Sequence, residues 1–184
     1  MRRVVMVTGL QAAGKTTVGR LLAERLPAPS ASFDGDVLYN MVAAGGADMT
    51  PSPSAVALRQ LHLRYEAAAL IAQHYSRAGF DFVYSDIVLG PDVMQWMDSI
   101  HGPERHLVIL APSVEAIVAR ETWRGKNSYR DWHEPGGSLA DAVRKLSGAL
   151  DETPRRGLWL DTSDETPTDT VGRILADDMR ASLY

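Results

Sequence analysis

Short apolar runs alternate along the chain with longer stretches whose apolar residues recur every three or four positions. The first run, 4–8 (Val-Val-Met-Val-Thr), is continuous, as a strand buried on both faces would be. The segment 15–26 carries Val18, Leu21, Leu22 and Leu26 at helical spacing and stops before Pro27. The same alternation predicts strands at 31–33, 80–85, 105–111 and 158–160. It predicts helices at 37–44, 54–78 and 92–100, from Ser113 onward, at 139–150, and from Pro167 through Met179. Leu58, Leu61, Tyr65, Ala68, Ala72 and Tyr75 trace one face of the longest helix, which Gly79 closes as a C-cap. Ser113 and Thr166 are placed to cap the helices they precede, and Pro167 suits a first helical position. Loops are predicted at 49–53, where Pro51 and Pro53 forbid regular helix, and at 124–137, which is polar, basic and glycine-containing.

Five strands separated by helices demand crossover connections. The expected architecture is therefore α/β: a three-layer fold with a five-stranded, mostly parallel sheet and helices on both faces. No repeat or low-complexity linker interrupts the 184 residues, so a single domain over 1–184 is the simplest account. A composition of 45% hydrophobic and 23% charged residues is ordinary for a globular chain. A formal charge of −4 argues against a general nucleic-acid partner. With no cysteine, disulfides, thiolate chemistry and cysteine-bound zinc are excluded. The apolar run after Met1-Arg2-Arg3 is too short for a signal peptide, and no stretch approaches the roughly 18 apolar residues of a membrane span. A cytoplasmic protein without a membrane partner is expected.

In such folds ligands gather at the carboxyl ends of the strands. After the first strand stands Gly9-Leu10-Gln11-Ala12-Ala13-Gly14-Lys15-Thr16, which fits G-x-x-x-x-G-K-[ST] at every fixed position. Gly9 and Gly14 permit backbone angles and close approach that a side chain would block. The N–H groups from Gln11 through Thr17 can then form an anion nest at the positive end of a helix. Lys15 supplies a point charge to the outer phosphates, and the Thr16 hydroxyl suits magnesium. ATP with magnesium is the expected ligand, which makes this a P-loop NTPase fold.

Two acidic stations follow. Phe33-Asp34-Gly35-Asp36 ends the second strand. Asp36 is placed to take the proton of an acceptor hydroxyl, or alternatively to cap the helix at Val37. Asp34 would face the phosphate loop and the metal's water shell. Asp86 ends the run Phe82-Val83-Tyr84-Ser85 and is either a metal-side carboxylate or a solvated turn residue. Arg120, Arg124, Lys126 and Arg130 form a basic cluster in an acidic chain, read as a lid over about 120–137 that stabilises transferred phosphate, or as a solvated helix face. Trp123 and Trp132 cover a substrate or anchor that lid. Arg59, His62 and Arg64 lie along the long helix near the expected acceptor pocket, Arg59 and His62 on one face, where an exposed helix surface competes with substrate recognition. The histidines show no metal-ligand spacing.

With those residues in place the sequence resembles the small P-loop kinases, a group including shikimate, gluconate and adenylylsulfate kinases. It is most similar to the chloramphenicol phosphotransferase type. The resemblance rests on residues 9–16, 34–38, 85–90 and 120–125, the last two pointing most narrowly to that type. It implies ATP-dependent phosphorylation of a small-molecule hydroxyl, antibiotics among the acceptors. It implies Lys15 and Thr16 on phosphates and metal, Asp36 as base, and Arg120 and Arg124 in the lid. It also implies that Leu160-Asp161-Thr162-Ser163 passes near the adenine. Ser85 departs from the pattern, because that type tends to have two acidic residues where Ser85-Asp86 stand here. Two other functions stay open: a nucleoside, nucleotide or sugar-nucleotide kinase, and a nucleotide-gated binding protein or slow ATPase.

Overall fold

The computed structural model describes residues 2–184. Its five strands form one sheet in which every pairing is parallel. They are β1 (Arg3–Gly9), β2 (Ser30–Asp34), β3 (Asp81–Ser85), β4 (Glu104–Leu110) and β5 (Leu158–Leu160), in the spatial order β2-β3-β1-β4-β5. The helices are α1 (Lys15–Arg25), α2 (Asp36–Asn40), α3 (Ala55–Arg77), α4 (Pro91–Ser99), α5 (Val114–Arg124), α6 (Leu139–Asp151) and α7 (Pro167–Leu175).

Side chains of a strand alternate between faces, so one sheet feeds two cores. Val4 and Met6 of β1 pack on one face with Tyr65, Ala68 and Ala72 of α3, Trp96 of α4 and Val143 of α6. Val5 and Val7 pack on the other with Val18 and Leu22 of α1 and Val171 and Ile174 of α7. The sheet is thus covered on both sides, which explains why β1 reads as an unbroken apolar run.

Local sequence explains four of the seven helix starts and the end of α3. Ser54 and Ser113 accept hydrogen bonds from the backbone N–H groups of Ala57 and Ala116. Ser138 and Thr166 each form a capping box, with Asp141 and Asp169 respectively. At the end of α3 the Gly79 N–H bonds to the Ser76 carbonyl and the Phe80 N–H to the Tyr75 carbonyl. The Tyr75 and Phe80 rings close that turn at 5.5 Å, so Gly79 stands one place beyond the cap at Ala78.

Two helices differ from expectation. The helix expected at 37–44 ends at Asn40, because Val37, Met41 and Val42 are exposed and find no core to bury. The loop beyond it is held by Gln60 of α3, which accepts from the Ala47 N–H at 3.0 Å and donates to the Gly45 carbonyl at 2.8 Å. The helix expected to run through Met179 stops at Leu175, and Asp177, Asp178 and Met179 take left-handed φ angles of 48°, 51° and 63°. That reversal still buries Met179, which is why the apolar spacing imitates a longer helix. No helix among the described residues is long and apolar enough to cross a membrane.

Candidate active site

The loop between β1 and α1 is built for an anion. A Cβ on Gly9 would lie 2.4 Å from the Leu110 carbonyl oxygen, so only glycine lets β1 leave the sheet beside β4. Gly14 takes φ 100° as the N-cap of α1. Ala12 is held at φ 60°, which costs an L-residue roughly 1–2 kcal/mol. The first turn of α1 contains no acidic residue and no capping side chain, so its N–H groups are left for a ligand. Lys15 is buried and folds back over the loop, donating to the Leu10 carbonyl at 2.7 Å. No described carboxylate forms an ion pair with it. Burial lowers its pKa to about 8 against the opposing pull of Asp86, Asp36 and Asp34.

The acidic residues converge on this loop from β2 and β3, whose ends are in register with Asp34 opposite Ser85. Asp34 accepts the Asp36 N–H at 3.0 Å, which starts α2 without help from the Asp36 side chain. Gly35 is the N-cap and Asp36 lies inside the first turn, so Asp36 does not cap the helix. Its exposed carboxylate is left without a hydrogen-bond partner among the described residues. Asp86 is only partly exposed and is no solvated turn residue. It accepts from the Tyr84 hydroxyl at 2.6 Å and from the Ile87 N–H at 2.7 Å. A Cβ on Gly35 would sit 2.1 Å from an Asp86 carboxylate oxygen, so this glycine lets the two acidic stations touch. Burial raises the Asp86 pKa, opposed by those two hydrogen bonds and by the Lys15 charge. Ser85 is buried and donates to the Lys15 carbonyl at 3.2 Å, bracing the loop.

On the far side Arg120 is half-buried and already engaged. Its guanidinium donates to the carbonyls of Thr162, Ser163 and Ala13, tying the end of β5 to the phosphate loop. It is a fixed cation rather than a mobile one. Arg124 ends α5, exposed and 3.9 Å from buried Glu121, so residues 120–124 are helix and the irregular segment starts at Gly125. That segment carries a short 3-10 helix, Arg130–Trp132, and is anchored by Tyr129, which is fully buried and donates to the Gln11 carbonyl at 2.9 Å.

Two cavities open here. One, of about 530 Å³, is lined by Gln11, Ala12, Ala13, Gly14, Lys15, Thr16, Thr17, Asp34, Asp36, Asp86, Arg120, Arg124 and Thr162 among others. Thr162, which lines it, has a buried hydroxyl with no hydrogen-bond partner among the described residues. The second, about 460 Å³, lies between α2, α3 and the segment after α5. Gln11, Asp36, Asp86, Ile87 and Lys126 line both, so the cavities meet at Asp36.

Against solved structures the chain superposes over nearly its full length. A sugar kinase from Janibacter sp. HTCC2649 matches with a TM-score of 0.64 and 19% identity over 95% of this chain and 93% of that one. A gluconokinase from Sinorhizobium meliloti 1021 matches at 0.62 and 18% over 99% and 95%. The tunicamycin resistance protein of Deinococcus radiodurans matches at 0.63 and 20% over 100% and 98%. The chain has the P-loop kinase fold. No family model and no curated protein sequence matches it.

Within this fold, Gln11 through Thr17, Asp34, Asp36, Asp86, Arg120, Arg124, Lys126 and Thr162 line the first cavity; Gly9 lines neither cavity, and Arg130 lines the second. Thr16, Asp34 and Asp86 offer oxygen ligands of the kind magnesium takes. No group of three metal-ligating His, Asp or Glu side chains converges among the described residues, so magnesium here would complete its shell from phosphates and water. The two lid tryptophans separate: Trp123 is 89% exposed on the rim of the first cavity, and Trp132 packs on the core and lines the second. Arg59 and His62 do not line either cavity; both are exposed, and His62 faces Asp92 at 3.8 Å. Arg64 lines the second cavity instead. Its signal was present in the sequence, since it falls between Leu61 and Ala68 on the buried face of α3. Tyr39 and Asp48 also line that cavity, and no local pattern marks them.

Proposed function

We propose that this chain is an ATP- and magnesium-dependent phosphotransferase that phosphorylates a hydroxyl group of a small molecule. The observation that carries this reading is the meeting of two cavities at the unpartnered Asp36 carboxylate. A nucleotide switch needs the first cavity alone, whereas transfer between two substrates needs both, with a proton acceptor at their junction.

In this reading the phosphate loop and Lys15 hold the ATP phosphates, and Arg124 lies across from them. Thr16 and the carboxylates of Asp34 and Asp86 would hold magnesium, which offsets phosphate charge. The acceptor hydroxyl meets Asp36, which takes its proton as the hydroxyl oxygen bonds to the terminal phosphorus. The bond from that phosphorus to the bridging oxygen breaks, and ADP leaves. The protein contributes alignment and fixed charge rather than covalent chemistry.

The test is incubation with magnesium-ATP and a pooled panel of hydroxylated antibiotics, sugars, hydroxy acids and nucleosides, read by mass for the gain of one phosphoryl group. Asp36→Asn should cut transfer by roughly 10²–10⁴-fold while ATP affinity stays unchanged. Equal transfer by that variant would remove Asp36 as base. A slow ATPase would be nearly indifferent to the substitution.

A further inference from the structure

The longest helix has two apolar faces, and the fold covers only one of them. Ala57, Tyr65, Ala68, Ala69 and Ala72 of α3 are buried. On the outward side Val56, Leu63 and Leu70 are 43%, 63% and 65% exposed, and none of them lines either cavity. They stand seven residues apart, close to two helical turns each, so they form one row along about 21 Å of the helix. Large apolar side chains aligned in this way are the seam by which two helices pair.

The charges beside the row say what it meets. Arg59 and Glu66 are both exposed and lie along the same edge of it. Neither forms an ion pair or hydrogen bond with any described residue. They are seven residues apart on their own helix, about 10.5 Å along its axis, which is too far to pair with each other. The other edge carries Ala67 and Gln60, whose amide is already bonded to Ala47 and Gly45.

A second copy laid antiparallel, with a two-fold axis at Leu63, satisfies both features. Leu63 then faces the partner's Leu63, and Val56 faces the partner's Leu70. The charged edges of the two copies adjoin. Arg59 of each copy comes within one residue's rise, about 1.5 Å along the axis, of the partner's Glu66. Two reciprocal ion pairs result, as a closed two-fold contact requires. A parallel pair would set the charged edge against Gln60 and Ala67 and leave all four charges unmatched.

We propose that this outward face of α3 is a dimer interface, on which two copies of the chain pair antiparallel about Leu63. The proposal does not depend on the kinase reading. One face of a 23-residue helix is about 35 Å long and about 11 Å wide. That is roughly half of the 800 Å² or so that each partner of a standard interface buries. The pairing should therefore be reversible, with a dissociation constant of micromolar order.

The test is analytical ultracentrifugation of the full chain across the micromolar range, where wild type should pass from monomer to dimer. Leu63→Glu should stay monomeric, and because Leu63 is exposed its thermal transition at low concentration should match wild type. Arg59→Glu and Glu66→Arg should each weaken the dimer by roughly fivefold or more, and the two together should restore it. The chain has no cysteine of its own, so introduced ones report the register. Leu63→Cys should cross-link two copies on oxidation. Leu70→Cys alone should not, since its counterpart lies about 21 Å away along the axis, and it should need Val56→Cys beside it. A chain that is monomeric throughout, a dimer that survives Leu63→Glu, or a double charge exchange no better than either single one would each overturn the proposal. Cross-linking by Leu70→Cys alone would make the pair parallel and overturn it as well.

Discussion

A single buried lysine sets the pH dependence expected of nucleotide binding. Phosphate needs Lys15 charged, yet burial has lowered its pKa from 10.5 to about 8. Affinity should therefore be full below about pH 8 and fall as pH rises through it. Near that pH, binding should take up about half a proton per nucleotide, since the ligand restores the charge. Calorimetry of an ATP analogue in buffers of different ionisation enthalpy measures this uptake, and an affinity flat from neutral pH well into the alkaline range would contradict it. The free fold responds in the opposite direction. Between about 8 and 10.5 the unfolded chain keeps the proton that the folded chain has released, so Lys15 adds stability as pH rises across that window. The identity of Lys15 was legible in a run of eight residues. Its burial was not, because that depends on β3 and the turn after it closing over the loop from far along the chain.

At the scale of elements, helix starts were legible wherever a side chain performs the capping, as at Ser113 and Thr166. Helix ends were less so. The short α2 and the reversal after α7 depend on whether a core exists for the apolar residues to enter, which periodicity alone does not reveal. The segment after α5 shows the same division. Its basic character was plain, but its attachment is the hidden hydrogen bond from Tyr129 to the Gln11 carbonyl. Tyr129→Phe keeps the buried ring and removes that tie. It should weaken nucleotide affinity by about 1 kcal/mol, roughly fivefold, with little change in the thermal transition. Unchanged affinity would mean that the segment does not support the loop through this contact.

Across the whole molecule, the parallel order β2-β3-β1-β4-β5 brings the ends of β1, β2, β3 and β5 to one edge, and the segment after α5 bridges the two cavities found there. Arg124 at the end of α5 and Lys126 and Arg130 of that bridge are exposed. Trypsin should cut there early, and a magnesium-bound ATP analogue should slow the cut severalfold by occupying the cavity beneath. Equal rates with and without the analogue would argue against a closing role.

By itself the sequence determined the phosphate loop, the parallel α/β layering and the identity of the acidic stations. Each of these is written in neighbouring residues or in a short period: the glycines of a tight turn, the apolar run of a buried strand, the carboxylate that ends it. Only the tertiary structure decided that the Asp36 carboxylate has no partner among the described residues and is no cap, that Arg120 is fixed by three carbonyls, and that Arg64 lines the second cavity while Arg59 lines neither. Those outcomes depend on which partners arrive from distant parts of the chain, and a carboxylate or guanidinium has the same local sequence whether or not its partner comes.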